Sequence, residues 1–505
     1  MADYSGLDEI APEPEPVRAS LPYPFARKFG VLLKSGDSPV IALREGADPR
    51  TLIEVRRHLG TSFAVEPVTD TAFDKLLSEV YAMDGDAAAL AADTLGSDNN
   101  LDSLAGGIPT AADLLDTSDE APAIRLINGV IADAVRQGVS DIHIEPYEDV
   151  LVFRMRIDGV LRETLRMPPH VASVVVSRIK VMARLDIAER RVPQDGRIGL
   201  TLGGKQLDVR VSTLPSRGGE RVVLRILDKD NADIALDVLG MPPHVDALVR
   251  EALADPNGII LVTGPTGSGK TTSLYAGLRL LNDGTRNILT VEDPVEYAIG
   301  GVGQTQVNAK VGMSFASGLR AILRQDPDIV MVGEIRDQET AEVSVQAALT
   351  GHLVLSTVHT NDAIGAITRL RDMKVEPFLI ASTLRAVIAQ RLVRRLCDAC
   401  KRQAKASDAV ADLLGIKAGS DIHEAVGCKT CGGTGFKGRT GVFEGVRVDD
   451  TLRAMIGGGA DEGAIAKHAF ASAPTLAMAA RDMVLGGITT PEEAFRVMRR
   501  GQVDD

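Results

Sequence analysis

Residues 258–281 read GIILVTGPTGSGKTTSLYAGLRLL, and this stretch decides the fold. It opens with an apolar run typical of a buried strand and closes with a helical pattern. Between them stands G-x-x-x-x-G-K-[ST], whose glycines let successive backbone N–H groups turn toward a phosphate chain at the helix N-terminus. The pattern predicts a nucleotide site on the loop between strand and helix. The predicted binding residues are Gly264, Pro265, Thr266, Gly267, Ser268, Gly269, Lys270 and Thr271.

Two side chains of this loop have specific expected tasks. Lys270 is expected to reach the β- and γ-phosphates, and the Thr271 hydroxyl is expected to ligate Mg²⁺.

Three more apolar runs follow, NILTVED (287–293), DIVMVGE (328–334) and HLVLSTV (352–358), with helical stretches among them. Short buried strands separated by helices indicate a doubly wound α/β core with a parallel sheet.

Hydrolysis would need carboxylates as well as a phosphate cradle, and two strand ends offer them. LTVEDPVEY provides Glu292, Asp293 and Glu296, and DPDIVMVGEIRD provides Glu334. Ligands of open α/β sheets gather at the carboxyl ends of the strands, which favours both places. Carboxylates at strand ends are also common as plain surface residues.

Two histidines bracket the last of these strands. His352 precedes it and His359 follows it. Each is interpreted either as a hydrogen-bonded cap at a strand end or as a sensor of the γ-phosphate, since imidazole donates well and titrates near pH 7. The pattern alone leaves both interpretations open.

Composition narrows the class of partner. The 505 residues are 45% hydrophobic and carry a formal net charge of −13, with 3% aromatic residues and no Trp. This balance disfavours nucleic-acid binding, which relies on clustered Lys and Arg and on stacking aromatics. The acidic N-terminus MADYSGLDEIAPEPEP does not resemble a secretory signal, and no apolar stretch is long enough to span a bilayer. The sequence therefore predicts a cytoplasmic protein.

Several domains are predicted before the nucleotide core. Residues 1–20 are Pro- and Glu-rich and are expected to be disordered, 21–82 form a small α/β domain, and 83–121 are a flexible linker. Residues 122–234 form an α+β domain, with a hairpin turn at Asp158–Gly159. Its strands carry four arginines on the polar face, which a merely solvated sheet would also show: Arg154, Arg156, Arg210 and Arg225.

The core is predicted to occupy residues 235–395, and all the cysteines of the chain follow it. Cys397, Cys400, Cys428 and Cys431 form two C-x-x-C pairs. In a reducing compartment such pairs are better interpreted as metal ligands than as disulfides, and four thiolates describe a closed, structural zinc site. We expect a zinc subdomain at 396–436 and a helical lobe at 437–505.

The order and spacing of these motifs resemble one family, the secretion ATPases of type II secretion systems and type IV pili. The resemblance covers residues 21–505 apart from the linker. It rests on GPTGSGKTT, EDPVEY, RQDPDIVMVGEIRD, GHLVLSTVHTND and the paired C-x-x-C, with SDIHIEP, RIDGVL, VPQDGRI and GGERVVLRIL in the second domain. It implies a multi-domain α/β protein with a RecA-like P-loop core, an α+β N-terminal domain pair, a small zinc subdomain and a helical C-terminal lobe.

The resemblance also implies roles for single residues. Glu296 matches the glutamate that activates water, and Glu334 matches the Walker B glutamate that acts on Mg²⁺ through water. His352 and His359 match phosphate or interface sensors. Arg210 and Arg225 match arginines sent from the second domain toward a nucleotide, and Arg320, Arg324 and Arg336 lie in a core segment of similar use.

The implied activity is that of an ATP-hydrolysing motor, a homo-hexameric ring whose domains pivot near residues 228–236. In the family this motion drives pseudopilus assembly and protein export. The N-terminal domain is more similar to the type II secretion branch than to pilus extension motors. The family resemblance further implies that residues 21–82 bind the cytoplasmic domain of an inner-membrane protein, and that the ring works on a polytopic platform protein. Pilus extension, a nucleic-acid motor and a nucleotide-regulated scaffold are the alternatives.

Overall fold

The computed structural model describes residues 21, 25, 29–34, 39–69, 73, 121–202, 205–228 and 235–499. The segment predicted to be disordered, most of the predicted linker and most of the predicted pivot lie outside these residues. The chain divides into two compact units. One comprises the residues up to Met155 together with Arg162–Ile226, and the other comprises Arg156–Leu161 together with the chain from Leu227 onward.

The N-terminal part of the first unit contains a small sheet with one helix. Its strands are β1 (Val31–Lys34), β2 (Val40–Arg44) and β3 (Ala64–Val68), and its helix is α1 (Thr51–Leu59). The middle strand runs antiparallel to β1 and parallel to β3. Helix α1 makes the crossover that a parallel pair requires and ends at Gly60, whose φ of 66° is left-handed. Val31, Ile41 and Val55 are fully buried between helix and sheet.

The second part of this unit contains a six-stranded sheet in the order β6-β5-β4-β9-β8-β7. Its strands are β4 (Val139–Pro146), β5 (Leu151–Ile157), β6 (Val160–Met167), β7 (Gln194–Leu202), β8 (Lys205–Ser216) and β9 (Gly219–Asp228). Its helices are α2 (Ala121–Arg136) and α3 (Val171–Met182). Asp158 and Gly159 have φ values of 48° and 82°, which suit a tight hairpin turn and confirm the prediction made from that dipeptide.

The second unit is built around a larger sheet in the order β12-β11-β13-β14-β10-β15-β18. All neighbours whose register is described are parallel except β15 and β18. The predicted parallel-sheet core is thereby confirmed. The strands of this unit, with a separate antiparallel pair β16–β17, are β10 (Gly258–Thr263), β11 (Ile288–Glu292), β12 (Gly303–Gln306), β13 (Ile329–Val332), β14 (Leu353–Val358), β15 (Leu384–Leu396), β16 (Arg402–Lys405), β17 (Asp421–Glu424) and β18 (Phe436–Arg447).

Helices cover this sheet and follow it. Five of them, α7, α8, α11, α12 and α13, begin after an Asp or Thr whose side chain accepts the N–H three residues on. The helices are α4 (Pro243–Leu253), α5 (Lys270–Leu281), α6 (Phe315–Ile322), α7 (Gln338–Leu349), α8 (Ala363–Asp372), α9 (Pro377–Thr383), α10 (Asp408–Leu414), α11 (Asp450–Gly457), α12 (Glu462–Ala469), α13 (Leu476–Leu485) and α14 (Pro491–Arg499). Within the part of the chain that the structure describes, no helix combines the length and apolarity needed to cross a membrane.

The C-terminal region differs from the sequence expectation at its start. Residues 437–447, expected to open a helical lobe, belong with Phe436 to strand β18, which pairs with β15 at the edge of the core sheet. Two glycines and a glutamate interrupt the apolar run GVFEGV, so its strand pattern is weak, and the pairing with β15 decides its structure. The region beyond it is helical, as expected, from α11 to α14.

One buried ion pair joins helix and sheet in the first unit. Lys180 of α3 is 1% exposed and places its Nζ 2.5 Å from Glu220 Oε1 of β9. The same Nζ donates to the carbonyl of Glu189 at 2.6 Å. Because both charges are removed from water, each depends on the other for its solvation.

We expect Lys180→Met to lower the free energy of unfolding of this unit by about 3–5 kcal/mol, because it leaves the Glu220 carboxylate buried without its cation. Urea denaturation followed by circular dichroism measures the change. The matched double variant Lys180→Met with Glu220→Leu removes both charges and should recover most of the loss. Equal denaturation midpoints for Lys180→Met and the parent would contradict the assignment.

Candidate functional site

The glycine-rich loop connects β10 to α5 at the carboxyl edge of the sheet. Gly264, Gly267 and Gly269 have φ values of 148°, 79° and 89°, a conformation that other residues rarely adopt. A Cβ on Gly264 would lie 2.3 Å from the carbonyl oxygen of Gln390 on β15. Glycine is therefore needed both for the turn and for the close approach of β15.

Lys270 is the first residue of α5, and its side chain folds back over the loop. Its Nζ donates to the carbonyls of Gly264 at 2.7 Å and Pro265 at 3.2 Å. Burial lowers the pKa of Lys270 to about 8, although the Glu334 carboxylate acts in the opposite direction, and the Arg391 guanidinium lowers it further. An anion bound at the loop would supply the negative charge that stabilises the ammonium form of Lys270.

Two hydroxyls of the loop fit the predicted ligands. Ser268 Oγ is buried and has no hydrogen-bond partner among the described residues, so it can accept or donate to a phosphate oxygen. Thr271 stands exposed in the first turn of α5, where a hydroxyl can reach a cation. Ser273 instead faces inward and donates to Gln390 Oε1 at 2.7 Å, which anchors the helix to β15. The residues present therefore fit a magnesium–nucleotide ligand.

Glu334 and His359 follow neighbouring strands β13 and β14 and lie together. Glu334 Oε1 is 2.5 Å from Arg336 Nη2, and Oε2 is 3.3 Å from His359 Nε2. Burial and then the Lys270 charge lower the pKa of His359 below its ordinary value, despite Glu334, so the ring is mostly neutral at pH 7. Lys270, Glu334, Arg336 and His359 form the charged cluster at the loop.

The acidic segment after β11 contains one structural and one candidate functional glutamate. Glu292 is 2% exposed and accepts hydrogen bonds from Tyr275 OH, from Thr290 Oγ1 at 2.6 Å and from Gln304 Nε2 at 3.0 Å. Three donors hold it in the interior, away from any ligand. Glu296 is half-buried, and its backbone N–H donates to Tyr275 OH at 3.3 Å.

His352 lies at the other end of the sheet. The parallel register aligns Gly258 with Leu353 and Thr263 with Val358, so the six residues of β14, roughly 20 Å of strand, separate His352 from His359. His352 Nδ1 lies 2.8 Å from the carbonyl oxygen of Ala347 and caps the end of α7. Of the interpretations of His352, the hydrogen-bonded cap matches this geometry, and within this unit His359 faces the loop. A sensor role for His352 at a subunit interface stays a prediction.

The predicted arginines are also divided. Arg336 joins the charged cluster, whereas Arg320 pairs with Glu339 at 2.7 Å. Arg324 Nη1 donates to the carbonyl of Arg320 at 2.9 Å. Arg210 and Arg225 belong to β8 and β9 of the first unit, where Arg225 Nε is 2.8 Å from Asp141 Oδ1.

Sequence reasoning missed three polar residues that hold the site. Gln390 supports the glycine-rich loop, and Arg391 Nη2 donates to the carbonyl of Asn361 at 2.7 Å, beside His359. Tyr275 joins α5 to the acidic segment. A polar pair inside the apolar run of β15 was the available signal for the first two.

The four cysteine sulfurs lie within 4.8 Å of one another. Sγ–Sγ distances are 3.9 Å for Cys397–Cys428 and 3.8 Å for Cys400–Cys431 and Cys428–Cys431. A tetrahedral ion with bonds of about 2.3 Å holds its sulfurs about 3.8 Å apart, so the set fits zinc. Burial alone would raise the pKa of Cys431, but N–H groups of Cys428 and Gly435 bind its sulfur and the pKa falls to about 6.

Comparisons with known proteins agree with this architecture. The family described as "Type II/IV secretion system protein" matches residues 116–496, and a family for an N-terminal domain of "GSPII protein E" matches residues 20–81. The chain is 52% identical to "Type II secretion system protein E" of Pseudomonas aeruginosa, over 98% of this chain and 99% of that protein. It is 50% identical to "Type II secretion system ATPase E" of Vibrio cholerae, over 95% and 96%. The structure of the Legionella pneumophila ATPase DotB covers 74% of this chain and 95% of its own, with a TM-score of 0.56 and 21% identity, and shows the fold.

The lowered pKa of Lys270 predicts that ATP binding takes up a proton. A phosphate stabilises the ammonium form, so at pH 8.5 binding should take up about three quarters of a proton per site, and at pH 7 almost none. Affinity should accordingly fall as pH rises above 8. Calorimetric titration with a non-hydrolysable ATP analogue and Mg²⁺, in buffers of different ionisation enthalpy, measures this uptake. Equal binding enthalpies in all buffers at pH 8.5 would contradict it.

Proposed function

Because the chain belongs to the type II/IV secretion system protein family and is an ATPase of its type II branch, we propose that ATP hydrolysis at the glycine-rich loop drives pseudopilus assembly, and thereby protein export. The observation that carries this proposal is the charged cluster of Lys270, Glu334, Arg336 and His359 at the carboxyl edge of the sheet. These groups face the place where the glycine-rich loop would hold phosphates.

In this proposal the loop residues 264–271 bind the phosphates of ATP. Lys270 moves its donors from the carbonyls of Gly264 and Pro265 to the β- and γ-phosphates. Thr271 and, through water, Glu334 hold Mg²⁺, which would neutralise charge on the phosphates during transfer. Ser268 Oγ supplies a further hydrogen bond to the phosphate chain.

Glu296 is the proposed general base that takes the proton of the attacking water. It follows β11, whose carboxyl end lies beside that of β13, and it stands outside the three-donor cage that holds Glu292. Its backbone is tied to Tyr275 of the P-loop helix, which fixes the segment relative to the phosphates. A positioned carboxylate contributes roughly 10²–10⁴-fold to such a step.

His359 and the arginines are proposed to sense and stabilise the transferred phosphate. His359 lies between Glu334 and the loop, so a γ-phosphate there would change its hydrogen bonding. Arg336 would act within the charged cluster of its own chain. Arg210 and Arg225 of the first unit, with Arg320 and Arg324, would complete sites across the subunit boundaries of a homo-hexameric ring. His352 is not proposed to contact phosphate, since it caps α7 at the far end of the sheet.

The four-cysteine cluster is proposed to hold one structural Zn²⁺. It has four thiolate donors and sulfur separations that match tetrahedral coordination, so no ligand position is left for water. The cluster follows β15 and precedes β18, so the ion would lock the connection between these two strands.

Partners follow from the domain that the second family match identifies. We propose that residues 21–82 bind the cytoplasmic domain of an inner-membrane secretion protein, that the ring acts on a polytopic platform protein, and that the chain is cytoplasmic and peripheral to the membrane. Pilus extension is not favoured, because the relatives reported above are named for type II secretion. A net charge of −13 disfavours a nucleic-acid motor.

Two carboxamide substitutions test the catalytic assignment. Glu296→Gln should keep Mg²⁺-dependent ATP binding and lower turnover by roughly 10²-fold or more, because the base is lost. Glu334→Gln should lower turnover and weaken the dependence of binding on Mg²⁺. Phosphate release and nucleotide titration measure the two effects. Glu342→Gln, an exposed glutamate on α7, is the control and should behave as the parent. Unchanged turnover in Glu296→Gln would favour a nucleotide-regulated scaffold.

Removal of the metal should loosen the β15–β18 connection while ATP binding persists. Native mass spectrometry should find one zinc per chain, and Cys431→Ser should lose it and melt at a lower temperature, since structural zinc contributes on the order of 10 kcal/mol to folding. ATP binding by the zinc-free protein is then measured by titration. Loss of ATP binding in step with zinc would contradict a purely structural role.

A further inference from the structure

Glu444 is a buried carboxylate on β18, outside the groups assigned to nucleotide chemistry. It is 2% exposed, and both of its oxygens accept backbone N–H groups. Oε1 accepts from Ala363, the first residue of α8, at 2.9 Å, and Oε2 accepts from Leu476, the first residue of α13, at 2.8 Å. One carboxylate thus joins the N-termini of two helices, where the helix dipoles favour a negative charge.

The contact between Ala363 and Glu444 lies at the end of a short segment that begins at His359, beside the glycine-rich loop. Residues 359–363 connect β14 to α8, and every one of them is held by a partner. In chain order the contacts are His359 to Glu334 (3.3 Å), Thr360 to Thr263 (3.0 Å), Asn361 to Arg391 (2.7 Å), Asp362 to Gly365 (2.7 Å) and Ala363 to Glu444 (2.9 Å). Because the segment is short and each of its residues has a contact, we expect a shift of Ala363 to change the position of His359.

The second contact reaches the C-terminal helices. Helix α13 packs against α14 and β18, and Thr475 caps its first turn. Glu444 therefore stands where the C-terminal helices contact the edge strand of the core sheet. A buried carboxylate oxygen that loses its donor is left desolvated without compensation, so the position of α13 bears directly on how Glu444 is held.

We infer that Glu444 is a positioning residue that sets the His359 segment through the N-terminus of α8 and makes this setting depend on the position of α13. The inference rests on the proposed function, because it gives His359 a place in phosphate chemistry. A force applied to the C-terminal helices would reach the active site by this route, without any change in the glycine-rich loop. The route works in both directions, so a change at His359 also acts on α13.

Glutamine is the informative replacement for Glu444. It keeps the size of the side chain but offers only one acceptor oxygen. Its NH₂ group would face a backbone N–H, and two donors cannot form a hydrogen bond with each other. Burial raises the pKa of Glu444, even though the N–H groups of Ala363 and Leu476 act in the opposite direction.

A double-mutant cycle on the full-length zinc-loaded protein tests the inference. We expect Glu444→Gln to lower kcat for ATP on the order of ten-fold and to leave KM within about twofold, because the phosphate-binding loop is untouched. In the background of His359→Ala, the same substitution should lower kcat no further, since both changes act at one place. Steady-state phosphate release measures all four proteins.

A matched control separates this effect from general damage to the C-terminal region. Glu493 of α14 is also a buried carboxylate, 4% exposed, and it binds Arg394 of β15 at 2.8 Å. Within the described residues its carboxylate contacts Arg394 and Arg496 and not the 359–363 segment. Glu493→Gln should lower the melting temperature and give the same fold-change of kcat with and without His359→Ala.

Each outcome has a definite meaning. A kcat for Glu444→Gln equal to the parent, or an equal loss in both backgrounds, overturns the role of Glu444 alone. Parental turnover in His359→Ala refutes the proposed role of His359, and with it this route. If Glu444→Gln does not fold, Leu476→Pro gives a second test, because proline is favoured at the first helical position and deletes the N–H that α13 donates to Glu444. Its matched control is Leu476→Ala, which also removes the buried leucine side chain but keeps that N–H. Turnover of Leu476→Pro equal to the parent would then overturn the inference.

Discussion

Parallel strands present all their carboxyl ends at one edge of a sheet, and this constraint organises the chemistry of the second unit. Strands β10, β13 and β14 are buried along their whole lengths, so functional side chains can stand only beyond their ends. Lys270 follows β10, Glu334 follows β13 and His359 follows β14, and the register brings the three together. These residues are distant in sequence, and they lie close together because the parallel pairing aligns the carboxyl ends of their strands.

The same constraint explains how much of the site could be predicted from the sequence. The glycine-rich loop, the strand order of motifs and the cysteine pairs depend on local patterns, and these gave the correct fold and the correct edge for Lys270, Glu334 and His359. His352 precedes β14 and His359 follows it, so the strand itself separates the two histidines that the motif pairs. Residue type and position alone do not distinguish Glu292 from Glu296. The family resemblance selects Glu296, and the three donors around Glu292 give the physical difference between them.

A further error came from a tertiary partner that the local pattern does not contain. Strand β18 went unrecognised because its partner β15 lies far upstream in the chain. Such choices depend on neighbours that a local pattern does not contain.

The cysteine cluster has a further consequence for how the chain can vary. Residues 397–435 leave β15 and return to β18, and the paired sulfurs bring the two ends of this excursion together. The cysteine cluster therefore holds the two ends of this excursion together at the edge of the core sheet, whatever the sequence between the two cysteine pairs. The segment between Cys400 and Cys428 supplies Ala406, Leu414 and Ile422 to the core, so the exposed turn at 417–419, between α10 and β17, is the place where an insertion disturbs least. Doubling the length of a flexible loop costs only about 0.6 kcal/mol in closure entropy, so a fluorescent reporter or an added binding module placed in this turn should leave the core sheet unchanged.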